Sequence, residues 1–199
     1  MAKIKFGLKN VHYAVATIAA DGTATYGTPV AVPGAVSLSM EPQGDSSPFY
    51  ADNIVYFTSI SNTGYEGDLE MALFPDQFKK DILGYLEDSK HNLLEDVNAP
   101  AVHFALLFQI ENDVNATRVC LFNCTAQRPS VGGSTKEDTI DPQTESATIT
   151  ATSIHVAAID KDIAKATTTE STSSTDYTGF FTAVPVPTAL ATAATVVTT

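Results

Sequence analysis

The stretch "GYEGDLEMALFPDQF" (residues 64–78) decides how this chain is read. Glu66, Asp68 and Glu70 stand at every second position, and Gly67, Leu69, Met71 and Leu73 fill the places between. A strand turns successive side chains to opposite faces. The spacing therefore predicts a strand with three carboxylates on one face and an apolar row, Leu73 included, turned to a core. Like charges repel, so the acidic face is either solvated or looks at something that negative charge serves.

The next residues, "PDQFKKDILGYLEDSK", read as the one convincing helix, about 75–88. Phe78, Ile82, Leu83 and Leu86 fall on one helical face. Pro75 suits the first helical position. The charges oppose the helix dipole, with Lys79 and Lys80 near the positive end and Glu87 and Asp88 near the negative end. Gly84 costs about 1 kcal/mol more. Such a helix is expected to hold only by docking its apolar face on a sheet.

Outward from here the pattern is β. Residues 1–10, with Lys3, Lys5 and Lys9, read as an extended arm. "VHYAVATIA" (11–19) is a strand, "ADGT" a turn, and "ATYGTPVAV" returns with Pro29 marking an edge or bulge. In "GAVSLSME" (34–41), Val36, Leu38 and Met40 alternate with Ser37, Ser39 and Glu41. "PQGDSSPFYADN" (42–53) is crowded with turn residues and reads as a long loop, and long ordered loops usually carry function. "IVYFTSI" (54–60) is a strand. "VHFALLFQIE" (102–111), apolar on both faces, is central, and "TRVCLFNCTA" (117–126) pairs back on it. "RPSVGGSTKEDTIDPQ" (128–143) is a polar loop, and "ESATITATSIHVAAI" (145–159) is a long final strand. About eight hairpin-connected strands and one helix make a mainly β fold, an antiparallel sandwich or open barrel.

Length allows one domain, or one domain plus a tail, in 199 residues. Hydrophobic residues are 44% and charged ones 17%, enough for an ordinary core. The net charge of −12 excludes a wrap-around nucleic-acid binder and an anionic-membrane binder, both of which need cations. The N-terminus is too charged for a secretory signal and no apolar run reaches the roughly 20 residues of a span, so a soluble, cytoplasmically made protein is expected. After Lys165 the chain turns Thr- and Ala-rich around an aromatic knot of Tyr177, Phe180 and Phe181. Alone it cannot bury enough surface to fold, and a groove on the body or on a neighbour is its simplest holder.

Catalytic chemistry is not evident, and no enzyme, cofactor or metal is expected. His12, His91, His103 and His155 are scattered, each expected to have a satisfied hydrogen bond. "VGGS" (131–134) lacks a P-loop Lys, and "KEDTIDPQTE" lacks calcium-loop spacing. Asn115 and Asn123 sit in chance sequons. Cys120 and Cys124 would lie on one strand face, roughly 13 Å apart and too far to bridge, as buried reduced thiols. One signal remains. Between Lys9 and Lys79 there is no Lys or Arg, while Asp21, Glu41, Asp45, Asp52, Glu66, Asp68, Glu70 and Asp76 lie in that interval.

Several pieces in order resemble one family, the major tail (tail tube) proteins of long-tailed siphophages of Gram-positive bacteria. "GLKNVHYA" (7–14), "TYGTP" (25–29), "GAVSLSMEP" (34–42), "FYADN" (49–53), "GYEGDLEMALFPDQFKKDILG" (64–84) and "VHFALLFQI" followed by "TRVCLFNCTA" are similar to its landmarks, over about residues 5–155. The long C-terminus and "APAVHF" depart from it. The resemblance implies a structural virion protein, made in the host bacterial cytoplasm, whose hexameric rings stack into the tube of a non-contractile tail and conduct the genome. It implies a tail-tube β domain over 1–160 and an extension over 161–199. Implied partners are other copies of the chain, the tape-measure protein, the tail terminator and distal tail proteins, with only transient passage of DNA and no membrane anchor. Glu66, Asp68 and Glu70, with Glu41, are then expected to line the lumen. Gln43, Asp45, Ser46, Phe49, Tyr50, Asp52 and Asn53 are expected in an inter-ring loop, and Phe78, Ile82, Leu83 and Leu86 on the docked helix. Another tube protein, such as a terminator or contractile-type inner tube, is the nearest alternative. A carbohydrate-binding or adhesion sandwich is a remoter one, disfavoured by the absence of Trp.

Overall fold

The computed structural model describes residues 4–112, 114–135 and 142–191. Lys3, most of the acids of "KEDTIDPQTE" and the last eight residues lie outside them. The elements in chain order are β1 (Lys5–Ile18), β2 (Ala24–Tyr26), β3 (Val30–Ala31), β4 (Ala35–Gln43), β5 (Ser46–Ala51), β6 (Ile54–Ile60), β7 (Gly64–Met71), α1 (Asp76–Asp81), β8 (Leu86–Glu87), β9 (Leu93–Leu94), β10 (His103–Asn112), β11 (Thr117–Ala126), β12 (Glu145–Thr152), β13 (Ile154–Val156), β14 (Lys161–Ile163), β15 (Lys165–Thr167) and α2 (Ser174–Gly179). The fold is mainly β and antiparallel, as expected. One nine-stranded sheet runs β2-β1-β10-β11-β12-β7-β4, with β3 added to β1 and β15 to β11.

Strands from both ends of this sheet feed one cluster. Val11 and Tyr13 of β1 meet Leu69 and Met71 of β7, with Phe104, Leu106, Leu121 and Ile149 between them. The sheet therefore curls around its own core as an open barrel. Residues 5–10, expected as an arm, are the first part of β1 and pair with β10 from Lys5 onward.

In β7 the alternation is as read from the sequence. Leu69 and Met71 are fully buried. Leu73, expected beside them, is exposed because the strand ends at Met71 and the chain bends, letting Phe74 take the core position. Gly67 interrupts the apolar row for a steric reason: a Cβ there would lie 1.7 Å from the Ser39 carbonyl oxygen on β4. A side chain at 67 would push β4 off its neighbour.

The helix is shorter than expected and ends at Asp81 rather than about 88. Pro75 is its N-cap and not its first residue. Gly84 follows in the left-handed region at φ +71, where a Cβ would meet that of Ala99 at 2.6 Å. Shortening removes the charge conflict. Asp76 now sits in the first turn and Lys79 and Lys80 in the last, both favourable to the dipole. Glu87 leaves the helix for β8 and pairs with Lys80 at 3.0 Å. Phe78 is buried, stacked on Phe74 and edge-on to Tyr13, while the Tyr13 hydroxyl donates to Asp81 at 2.7 Å. Burying Phe78 contributes about 1.5–3 kcal/mol, which a six-residue helix needs. Ile82 and Leu83 also pack in the core, just past the helix, whereas Leu86 is exposed and not on the docking face.

Two further expectations are corrected. The stretch 145–159 is not one final strand. It breaks at Ser153, and β13 pairs with β14 in a separate hairpin. The two cysteines are buried free thiols but on opposite faces. A bulge in β11, where the pairing shifts between Phe104↔Cys124 and Leu106↔Leu121, inverts the alternation. Cys124 joins the barrel core and Cys120 a second cluster outside it.

In urea titrations of dilute protein, Phe78→Ala is expected to cost about 3–5 kcal/mol, and Leu86→Ala less than about 0.5 kcal/mol. Similar losses for both would restore the longer helix.

Candidate functional site

Strand β7 lies between β4 and β12 in the sheet, which fixes what surrounds its acids. On the β4 side Glu41 stands opposite Glu66, Ser39 opposite Asp68 and Ser37 opposite Glu70. On the β12 side Thr150, Thr148 and Ser146 stand opposite the same three. The hydroxyls act as donors. Ser37 Oγ and Thr144 Oγ1 donate to Glu70 at 2.8 and 2.6 Å, and Thr148 Oγ1 donates to Asp68 at 2.8 Å. Glu41 and Glu66 face each other directly, a like-charge pairing that costs stability. Among the described residues neither carboxylate forms an ion pair or a side-chain hydrogen bond. The structure thus brings all four expected acids onto one face, lined with hydroxyls and backed by the Leu69–Met71 core. The Ser and Thr partners were not singled out from the sequence, although Ser37 and Ser39 alternate in phase with Glu41.

Residues 42–53 are not a loop. The ladder of β4 and β7 continues through Thr63 N to Gln43 O and Ser61 N to Asp45 O, both 2.9 Å, into the β5–β6 pair. Strands β4 to β7 are one long hairpin, rooted in the barrel and projecting beyond it by roughly 20 Å at ~3.3 Å per residue. Asp52 and Asn53 make the tip, both left-handed at φ 51 and 61, as a two-residue hairpin turn requires. The crowding of turn residues disguised this. Pro48 lies in β5, which among the described residues pairs only with β6 and so tolerates the missing donor. Of the expected loop residues, Gln43 ends β4, Asp45 joins the strands, and Ser46, Phe49 and Tyr50 lie in β5. The hairpin is apolar and exposed. Phe49 and Phe57 are directly paired, and Tyr50 pairs with Val55 on the opposite face. All four are more than half exposed, as are Ile54, Tyr56 and Ile60. Tyr56 and Phe57 were read from the sequence only as strand residues.

Elsewhere the chemistry is quiet. Each histidine has a partner: Asn10 O for His12, Glu87 for His91, Asn123 for His103 and Asp162 for His155. Burial pushes the Cys124 thiol up to about 12 and raises that of Cys120 as well, so both stay protonated and unreactive. Among the described residues no three His, Cys, Asp or Glu side chains come together to hold a metal. The C-terminal knot is held by the body. Phe180 is buried against Ala14, Ala105, Leu107 and Phe122, and Phe181 stacks on His12 at 4.7 Å. The Arg118 guanidinium lies 3.9 Å over the Tyr177 ring and donates to the Tyr177 carbonyl.

A family model described as phage tail tube protein matches residues 1–103, which hold the acidic strand, the hairpin and the helix. The chain belongs to the phage tail tube protein family. No curated protein matches it. A tail tube protein is a structural component of the virion tail that assembles with itself, and membership points away from catalysis. No helix among the described residues is long and apolar enough to cross a membrane. The features that stand out in this tail tube protein are accordingly surfaces rather than reactive groups.

The bonds from Thr144, chiefly, and Ser37 hold the Glu70 carboxyl below its ordinary value of 4.5. A lowered carboxylate stabilises the fold above that value and loses its contribution as pH falls through the folded-state one. In urea titrations from neutral pH to about pH 3, stability is expected to fall more steeply below pH 4.5 in the wild type than in Glu70→Gln. Equal slopes would show that the hydroxyl bonds do not favour the charged form.

Proposed function

We propose that this tail tube protein forms hexameric rings that stack into the tube of a non-contractile tail, and that the face carrying Glu41, Glu66, Asp68 and Glu70 lines its lumen. The observation that carries this reading is the composition of that face: acids and hydroxyls, including an unrelieved Glu41–Glu66 pair, on the sheet surface opposite the core. A basic wall would release counterions and bind the duplex with an affinity steep in the number of contacts. An acidic, hydroxylated wall keeps DNA hydrated and sliding, and at about 0.15 M salt its field reaches only roughly 8 Å, so it acts on close approach.

Ring formation also answers a problem of the isolated chain. β4 and β2 end the sheet path with open edges, which are aggregation hazards unless paired. A head-to-tail contact whose rotation closes covers them in every copy. The hairpin, with apolar groups on both faces, extends to the adjacent ring and joins successive rings, the role proposed for residues 43–53. The tape-measure protein occupies the lumen before the genome passes, and a terminator and distal tail proteins end the tube.

Negative-stain microscopy of concentrated protein is expected to show rings or tubes, and a monomer at every concentration would contradict the reading. Changing Glu66, Asp68 and Glu70 together to Lys is expected to leave tubes intact and to slow genome ejection by roughly tenfold or more, through new phosphate contacts. Ejection at the wild-type rate would remove these residues from the channel wall.

A further inference from the structure

The open barrel has one closed end and one open end. Phe74, Phe78, Ile82 and Leu83 shut the end where β7 finishes. At the other end, where the hairpin leaves, a cleft of about 360 Å³ remains. Leu38, Met40, Phe108 and Leu121 give it an apolar floor, and Lys5, Tyr65 and Lys165 also line it, the Lys165 ammonium lying 4.5 Å over the Tyr65 ring. The cleft's own hairpin does not fill it, since Phe49 and Phe57 are 60% and 62% exposed.

We propose that this cleft receives the Phe49–Phe57 face of the hairpin from an adjacent copy of the chain in the same ring. The inference rests on the tube reading and adds a second docking place to it. Three observations select the occupant. First, the hairpin has two exposed apolar faces, Phe49–Phe57 and Tyr50–Val55, and a contact with the next ring covers only one of them. Second, cleft and hairpin root lie at the same end of the barrel. A hairpin entering a neighbour's cleft therefore holds the two copies side by side, as ring members stand, whereas a purely axial contact needs donor and receiver at opposite ends. Third, the charges match. The projecting segment 44–63 carries Asp45 and Asp52 and no cation, and two lysines line the cleft. The space suits a few side chains rather than a whole hairpin, so the aromatic pair enters and the backbone rides above. The contact is heterologous, since each copy gives a hairpin and receives another, and it repeats around a closed ring.

The test is photocrosslinking in the assembled full-length protein, with a benzophenone amino acid replacing Phe57, followed by mapping of the captured peptides. Peptides of another copy containing residues 38–40 or 117–121 are expected, and Lys5→Glu with Lys165→Glu is expected to lower the yield several-fold. Capture at any other surface, capture within one chain, or no crosslinked dimer would overturn the docking. Negative stain of the same samples separates the two readings. Rings with Phe57 captured elsewhere sink only the cleft assignment, and particles that never form rings sink the tube reading as well.

Discussion

The architecture depends on the cost of burying a carboxylate. An unpaired ionised acid inside the barrel would cost several kcal/mol, so Glu66, Asp68 and Glu70 must share the outer face of β7. Because a strand alternates strictly, that choice sends Leu69 and Met71 inward, and a slip of one residue would invert both sets at once. The register of β4 and β12 on either side follows from it, as does the position of Phe74 and Phe78 over the end of the barrel. A like-charge pair at Glu41 and Glu66 persists because it is solvated on the outer face.

Much of this was legible because period 2 is a strong signal. The acidic strand, the central β10 and its partner β11 could be read from alternation and apolar runs alone. Local chemistry misled where tertiary packing overrode it. The apolar spacing continues through Leu86 and so predicts too long a helix, yet Gly84 and the reversed charges argue for an earlier stop. Pro, Gly, Asp and Ser crowd the hairpin and predict a loop there, whereas the turn itself needs only Asp52 and Asn53. The bulge that separates Cys120 from Cys124 leaves no trace in the composition of β11. The hydroxyl partners of the acids lie across strands, where no sequence window reaches them.

The family match covers the first 103 residues, and the remaining chain does different work. β10, β11 and β12 complete the barrel, and the segment after Lys161 covers part of its outside. There β15 takes over the edge of β11 along Val119–Leu121, beyond the stretch paired with β12, and the aromatic knot closes over Arg118. Apolar surface on the outer side of β1, β10 and β11 is thereby covered within the chain, while that of the hairpin stays exposed.

The central claim is that the face of Glu41, Glu66, Asp68 and Glu70 looks onto a channel. An electron cryomicroscopy map of the assembled tail, resolved well enough to place the sheet, tests it most directly. The expected result is a ring in which the outer faces of β4, β7 and β12 surround the axis. A map that turns this face to the tube's exterior, with another surface of the barrel at the lumen, would contradict it.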